Sequence, residues 1–184
     1  MAAEAAARLR MSPGARKIAL IVHLVCSVGW IGAVVAYLGL DVFAVYGRDT
    51  QTMYAATIAM ELLIIWVIVP LALASLITGL IMSLGTPWGL LRHYWVLISF
   101  VLTIFATTVL LLHVSDVSAM AGATGGMPTA PGVTEHHSSA TGQNGSGRGD
   151  FLHAGVGLFV LLVITTLNVY KPRGMTPYGW RLRR

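Results

Sequence analysis

The sequence predicts an all-α membrane protein: an antiparallel bundle of four transmembrane helices with both termini on the cytoplasmic side. Three observations predict it. The 184 residues are 56% hydrophobic and only 10% charged, with a mean hydropathy of +0.76, whereas a soluble domain carries about 25% charged residues. Four apolar stretches reach the roughly 20 helical residues needed to cross a ~30 Å hydrocarbon core. The basic residues also divide unevenly among the segments that join those stretches. This composition argues against a soluble enzyme, a nucleic-acid module or a disordered chain. The single cysteine, Cys26, excludes an internal disulfide framework.

Residues 1–17 form an N-terminal cytoplasmic segment, and the transmembrane domain spans 18–170. Its first stretch, Ile18–Val45, exceeds the 7–15 residues of a signal-peptide core and reads as a retained span. The second, Tyr54–Leu84, holds Pro70 near its middle, which predicts a kink or tilt. The third is Tyr94–Val114 and the fourth Phe151–Tyr170. Helices are the expected form because backbone polar groups in lipid must be satisfied within the segment. A short outer loop (Tyr46–Met53) and a short inner turn at Gly85–Leu91, broken by Pro87, make successive helices neighbours. The outer segment Ser115–Asp150 is rich in Gly, Ser, Thr and Ala and reads as a flexible, solvated loop. Residues 171–184 form a basic tail.

Orientation follows from the cations. With the N-terminus inside, Arg8, Arg10, Arg16, Lys17, Arg92, Lys171, Arg173, Arg181, Arg183 and Arg184 are internal, and only Arg48 and Arg148 are external. Ten against two is a strong positive-inside signal. Among the acids only Glu4 lies inside; Asp41, Asp49, Glu61, Asp116, Glu135 and Asp150 fall outside or in outer halves. The net charge of +5 therefore reports topology, with the tail placed to touch anionic lipid. Trp88, Tyr94, Trp95, Tyr170, Tyr178 and Trp180 form an aromatic belt on the inner side. The expected location is a bacterial plasma membrane.

Ionisable side chains within a membrane are costly, so each is a functional candidate. His113 ends the third span and His153 begins the fourth, at matching depth in the outer half. Taken singly, each also reads as an interfacial residue. Together, two histidines facing one another between helices suit the two axial positions of a haem b. Ala154, Gly155 and Gly157 beside His153, and Ala106, Thr107 and Thr108 below His113, leave room for a macrocycle. His23 and His93 form a second, inner pair, but their depths differ by roughly 8–10 Å at 1.5 Å per residue. His93 therefore reads better as interfacial, whereas Ser27 and Trp30 follow His23 on one face. Glu61, about two turns into the second span, reads either as a hydrogen-bond partner of a haem histidine or as a protonated acid bonded to a neighbouring helix.

Other features are weaker. Cys26 reads as a small hydrophobe. Gly29 with Ala33, and Gly32 with Ala36, suit close helix packing and permit a homodimer. Met120, Met127, Glu135, His136 and His137 in the outer loop are residue types that copper favours, in no fixed spacing.

The run His23-Leu-Val-Cys-Ser-Val-Gly-Trp30-Ile-Gly32 resembles the first-span signature of small four-helix bacterial membrane proteins. These include the copper-resistance D superfamily and the HemJ-type protoporphyrinogen oxidases. Arg92-His93-Tyr94-Trp95-Val96, Leu110 to His113, His153-Ala154-Gly155 and Val169 to Gly174 are similar to an actinobacterial family of integral membrane proteins in the same neighbourhood. The resemblance covers about Ser12 to Arg184 apart from the outer loop. It implies a four-helix membrane fold that binds haem, without supplying a reaction. HemJ-type proteins carry a basic residue and a histidine where this chain has Leu40, Asp41 and Val42, and a third-span lysine that is lost here. In the related family that lysine often stands at the position of Ser99. Both departures argue against porphyrinogen oxidation.

The resulting expectation is a membrane haem b protein with bis-histidine ligation, serving electron transfer or redox or gas sensing rather than acting as a dedicated enzyme. A redox protein or a quinone would be its partner within the lipid bilayer, and nothing points to nucleic acid. The alternatives are a copper-handling protein using the outer loop and the His23–Cys26 region, and a non-catalytic membrane scaffold.

Overall fold

The computed structural model describes residues 11–85, 89–124, 143–172 and 174–181. They form α1 (Pro13–Tyr46), α2 (Thr50–Leu63), a π-turn (Ile64–Ile68), α3 (Val69–Gly85), α4 (Tyr94–Thr124), α5 (Gln143–Tyr170) and a short α6 (Pro177–Arg181). No strand occurs among the described residues; the one extended pairing is an isolated bridge between His93 and Met175. Four helical stretches, Pro13–Tyr46, Thr50–Gly85, Tyr94–Val114 and Phe151–Tyr170, are long and apolar enough to cross a membrane. Their outer surfaces carry exposed Trp66, Leu112 and Phe159, an arrangement suited to lipid and unfavourable in water.

Local chemistry sets the helix ends. Ser12 accepts a hydrogen bond from the amide of Ala15, and Pro13 occupies the first turn, where its missing N–H costs nothing. Asp49 caps α2, accepting from the amide and the hydroxyl of Thr52 at 3.1 and 3.0 Å. Those bonds hold its carboxyl below the usual carboxylate range. Because the folded pKa is depressed, the cap contributes stability above the unfolded value of about 3.9 and loses it as pH falls through the folded one. Comparison with Asp49→Asn, a cap that does not titrate, checks this. The thermal stability of the parent should fall relative to the variant below about pH 4. Parallel pH profiles would contradict it.

Just before Pro70, where a kink or tilt is expected, the span holds the π-turn. Proline has no N–H, and its ring crowds the carbonyl four residues earlier, here Trp66. The wider turn just before it absorbs the conflict, with the amide of Val69 reaching back to the carbonyl of Ile64. It also serves packing. Ala56, Met60, Ile64, Ile68 and Ala72 are all buried at four-residue intervals. An α-helix drifts about 40° with each such step, and one wider turn partly resets the stripe.

Helix α1 packs against α2, α3 and α5, and α4 against α2, α3 and α5, so α1 and α4 lie diagonally across the bundle. The core joins Trp30, Ala33, Val34 and Tyr37 of α1 to Met60, Ile64, Ile68 and Ala72, and to Leu161 of α5. Of the two small-residue pairs on α1, one is internal: Ala33 is buried, and a Cβ on Gly29 would meet Leu71 at 3.4 Å. Gly32 and Ala36 face outward.

At one end of the bundle the amide of Met11 reaches the carbonyl of Gly85, and that of Tyr94 reaches Gly174. The tail is more ordered than a basic lipid-touching segment requires. Thr176, buried, donates its amide to the carbonyl of Arg92 at 3.1 Å and its hydroxyl to that of Leu91, and accepts from the amide of Gly179 at 3.1 Å. A Cβ on Gly179 would lie 2.6 Å from the carbonyl oxygen of Arg92, a backbone atom that cannot swing aside. Gly179→Ala should therefore release the tail while leaving the bundle folded. Faster hydrogen exchange at Thr176 and residue 179, with unchanged melting, is the expected pattern; unchanged exchange would refute the docking.

Helices α4 and α5 extend into the expected outer loop, through Thr124 and from Gln143. Met127, Glu135, His136 and His137 lie outside the described residues, as do Glu4, Arg8, Arg10, Pro87, Trp88, Arg173, Arg183 and Arg184.

Candidate functional site

Among the described residues, two cavities in the bundle bear on function. The first, about 410 Å³, is walled almost wholly by apolar side chains from all four long helical stretches, among them Trp30, Ile64, Phe105 and Leu161. At its rim the imidazoles of His113 on α4 and His153 on α5 stack face to face, with centroids 4.6 Å apart and planes 9° from parallel. The two helices pack directly against each other, which brings together residues separated by forty positions in sequence. Small residues keep the space open. Ala106, Ala154 and Gly157 line the wall, and a Cβ on Gly157 would meet no atom within 4 Å.

The second cavity, about 430 Å³, is lined by His23, Ser27, Ser75, Ser99 and Asn168 together with apolar residues, and Arg16 and Lys171 contribute to its wall. His23 Nδ1 lies 3.0 Å from Thr78 Oγ1, and the hydroxyls of Ser27 and Ser75 lie 2.8 Å apart. Gly79 makes room for the imidazole, since a Cβ there would sit 3.2 Å from His23 Cε1. Trp30 and Leu161 line both cavities and form the partition between them.

The five histidine and glutamate candidates thus separate into a pair and three individuals. His113 and His153 meet. His23 belongs to the second cavity, whereas His93 does not line it: its backbone bridges Met175 and its ring lies 6.5 Å from Trp95. Glu61 is half-buried on α2 and lines neither cavity. Cys26 likewise lines neither.

Several buried polar residues escape a reading by span and depth. Asp41 is 2% exposed. The spacing Trp30, Val34, Tyr37, Asp41 places it on the buried face of α1, and that periodicity was the available signal. On α4, Trp95, Ser99 and Thr107 are buried, with Thr103 between them at the same four-residue interval. Thr103 donates to the carbonyl of Ser99, whereas the hydroxyls of Ser99 and Thr107 have no hydrogen-bond partner. A stripe of hydroxyls within an otherwise apolar span marks the inward face of this helix.

Among the described residues no group of three or more His, Cys, Asp or Glu side chains is gathered as a metal site. Comparison of the chain with family models, curated proteins and solved structures gives no match, so the reading of function rests on these residues and cavities.

Proposed function

We propose that this chain is an integral membrane haem b protein of a bacterial plasma membrane, with both termini cytoplasmic and His113 and His153 as axial ligands. Its role on this reading is electron transfer or redox or gas sensing. The observation that carries it is the pairing of two imidazoles from different helices at the rim of a large apolar cavity. Ligand number favours haem over a bare metal ion. Zinc and Cu(II) held by protein alone take three or more protein ligands, and no third His, Cys, Asp or Glu joins the pair among the described residues, whereas a porphyrin leaves only two axial positions for the protein. The ten-to-two division of basic residues supports an orientation with this cavity in the outer half of the membrane.

The residues fit the group in donor type and in space. Two imidazoles are a common axial pair, and Gly157 leaves unfilled volume in the wall. Ligation uses lone pairs in the plane of each ring, so the two rings must turn from their stacked arrangement and part to admit it. Haem held by His113 and His153 would supply a one-electron iron couple, with the same two imidazoles as ligands in both oxidation states. Trp30, Val34 and Ile64 give the cavity an apolar wall, whose low polarity disfavours added positive charge.

Protein purified in detergent from cells with ample haem supply should show a Soret band, with reduced-state bands typical of a six-coordinate haem b. Stoichiometric haem is the expected result, and its absence would end this reading.

A further inference from the structure

The serine-lined cavity carries a hydrogen-bonding pattern that selects a ligand. Thr78 has one hydroxyl proton, which it gives to the carbonyl of Ala74 at 2.6 Å. With that proton on a backbone carbonyl (Ser75 O also lies 3.2 Å away), Thr78 would accept from His23 Nδ1 at 3.0 Å, the tautomer that leaves a lone pair on Nε2. Ser27 donates to the carbonyl of His23 at 2.8 Å and accepts from Ser75. Thr103, Thr165, Ser83 and Asn168 each donate to a carbonyl of their own helix. The hydroxyl of Ser99 differs: the residue is 6% exposed, lines the cavity, and its oxygen has no hydrogen-bond partner. A buried hydroxyl left unbonded is costly, and turning the Ser99 side chain toward a ligand oxygen in the cavity would recover that cost.

We infer that this cavity binds the ring of a 1,4-quinol, one hydroxyl of which donates to His23 Nε2 while a ring oxygen accepts from Ser99. The remaining walls suit a flat lipophilic ring, with Leu24, Val28, Leu76, Trp95 and Phe100 around it. The volume of about 430 Å³ is that of a small-molecule pocket. An anionic lipid headgroup fits less well. Its phosphate has no proton to give Nε2 at neutral pH, and its charge belongs with Arg16 and Lys171. Trp30 and Leu161 line both this cavity and the histidine-pair cavity. A role for the quinol as electron donor rests on the haem reading; its binding does not.

The test is anaerobic titration of the purified full chain, with or without haem, using a 1,4-naphthoquinol bearing a short alkyl chain. Quenching of tryptophan fluorescence reports occupancy, because Trp30 and Trp95 line the cavity. Saturable quenching is expected, weakened about tenfold by Ser99→Ala and by His23→Gln and retained by Ser99→Thr, which keeps the hydroxyl and controls for misfolding. Absence of saturable quenching, or equal affinity in Ser99→Ala and the parent, would overturn the inference. So would displacement of the probe by phosphatidylglycerol vesicles in a manner that needs Arg16 and Lys171, since that result assigns the cavity to anionic lipid. Binding without a Soret band would leave this site standing and remove the haem; a Soret band without binding would do the reverse.

Discussion

His113→Ala and His153→Ala are each expected to reduce bound haem at least tenfold, while His136→Ala leaves the absorption spectrum unchanged. The expectation rests on the stacked pair at the cavity rim. Removing either imidazole takes away one axial bond, and no third His, Cys, Asp or Glu stands beside the pair among the described residues to replace it. A second variant separates ligation from folding. Gly157→Leu adds its side chain to open space, with nothing within 4 Å of the new Cβ, so the helices need not move. The added bulk enters the cavity, and haem should be excluded while helical content and melting stay close to the parent. Full pigmentation of a His113→Ala, His153→Ala double variant would show that the haem is held elsewhere.

The spans and the histidine pair were legible in the sequence because each depends on a one-dimensional quantity. Span length follows from bilayer thickness, and the depth of His113 and His153 follows from counting residues into each span. Depth also separated His23 from His93, which the structure keeps in different surroundings. What depth does not give is azimuth. Hydropathy in a lipid-facing helix is high all round, so the inward face is marked by small and hydroxyl side chains rather than by greasy ones. That is why Ser99 and Thr107 face inward while Leu112 and Phe159 are exposed. Gly29 and Gly32, three residues apart on α1, illustrate the same limit: one packs against Leu71 and the other meets nothing. The tail contact was hidden for a different reason. It depends on Gly179 approaching the carbonyl of Arg92, a long-range backbone fit with no local pattern.

Trp30→Ala is expected to have the largest effect on stability of any single change in the bundle. The indole is 3% exposed, sits in the core with Ile64, Ile68 and Leu161, and forms part of the partition between the two cavities. In lipid the hydrophobic effect between helices is weak, so what the truncation removes is mainly dispersion contact. Adjacent empty space keeps neighbours from closing over the void, since the lost volume opens into cavities that already exist. A cost on the order of 3 kcal/mol follows from the behaviour of large aromatic truncations in packed cores. Trp30→Phe, which keeps a ring in the partition, should lose less than half as much. Thermal unfolding in one detergent measures both. The same pair of variants probes the link between the cavities: with the alanine, the serine-lined and histidine-pair spaces become one continuous volume, and a quinol probe should lose affinity through a wider, less confining wall. If Trp30→Ala melts with the parent and binds the probe equally well, the two cavities do not depend on this side chain, and the indole is a passive filler rather than the wall that keeps a polar pocket apart from an apolar one.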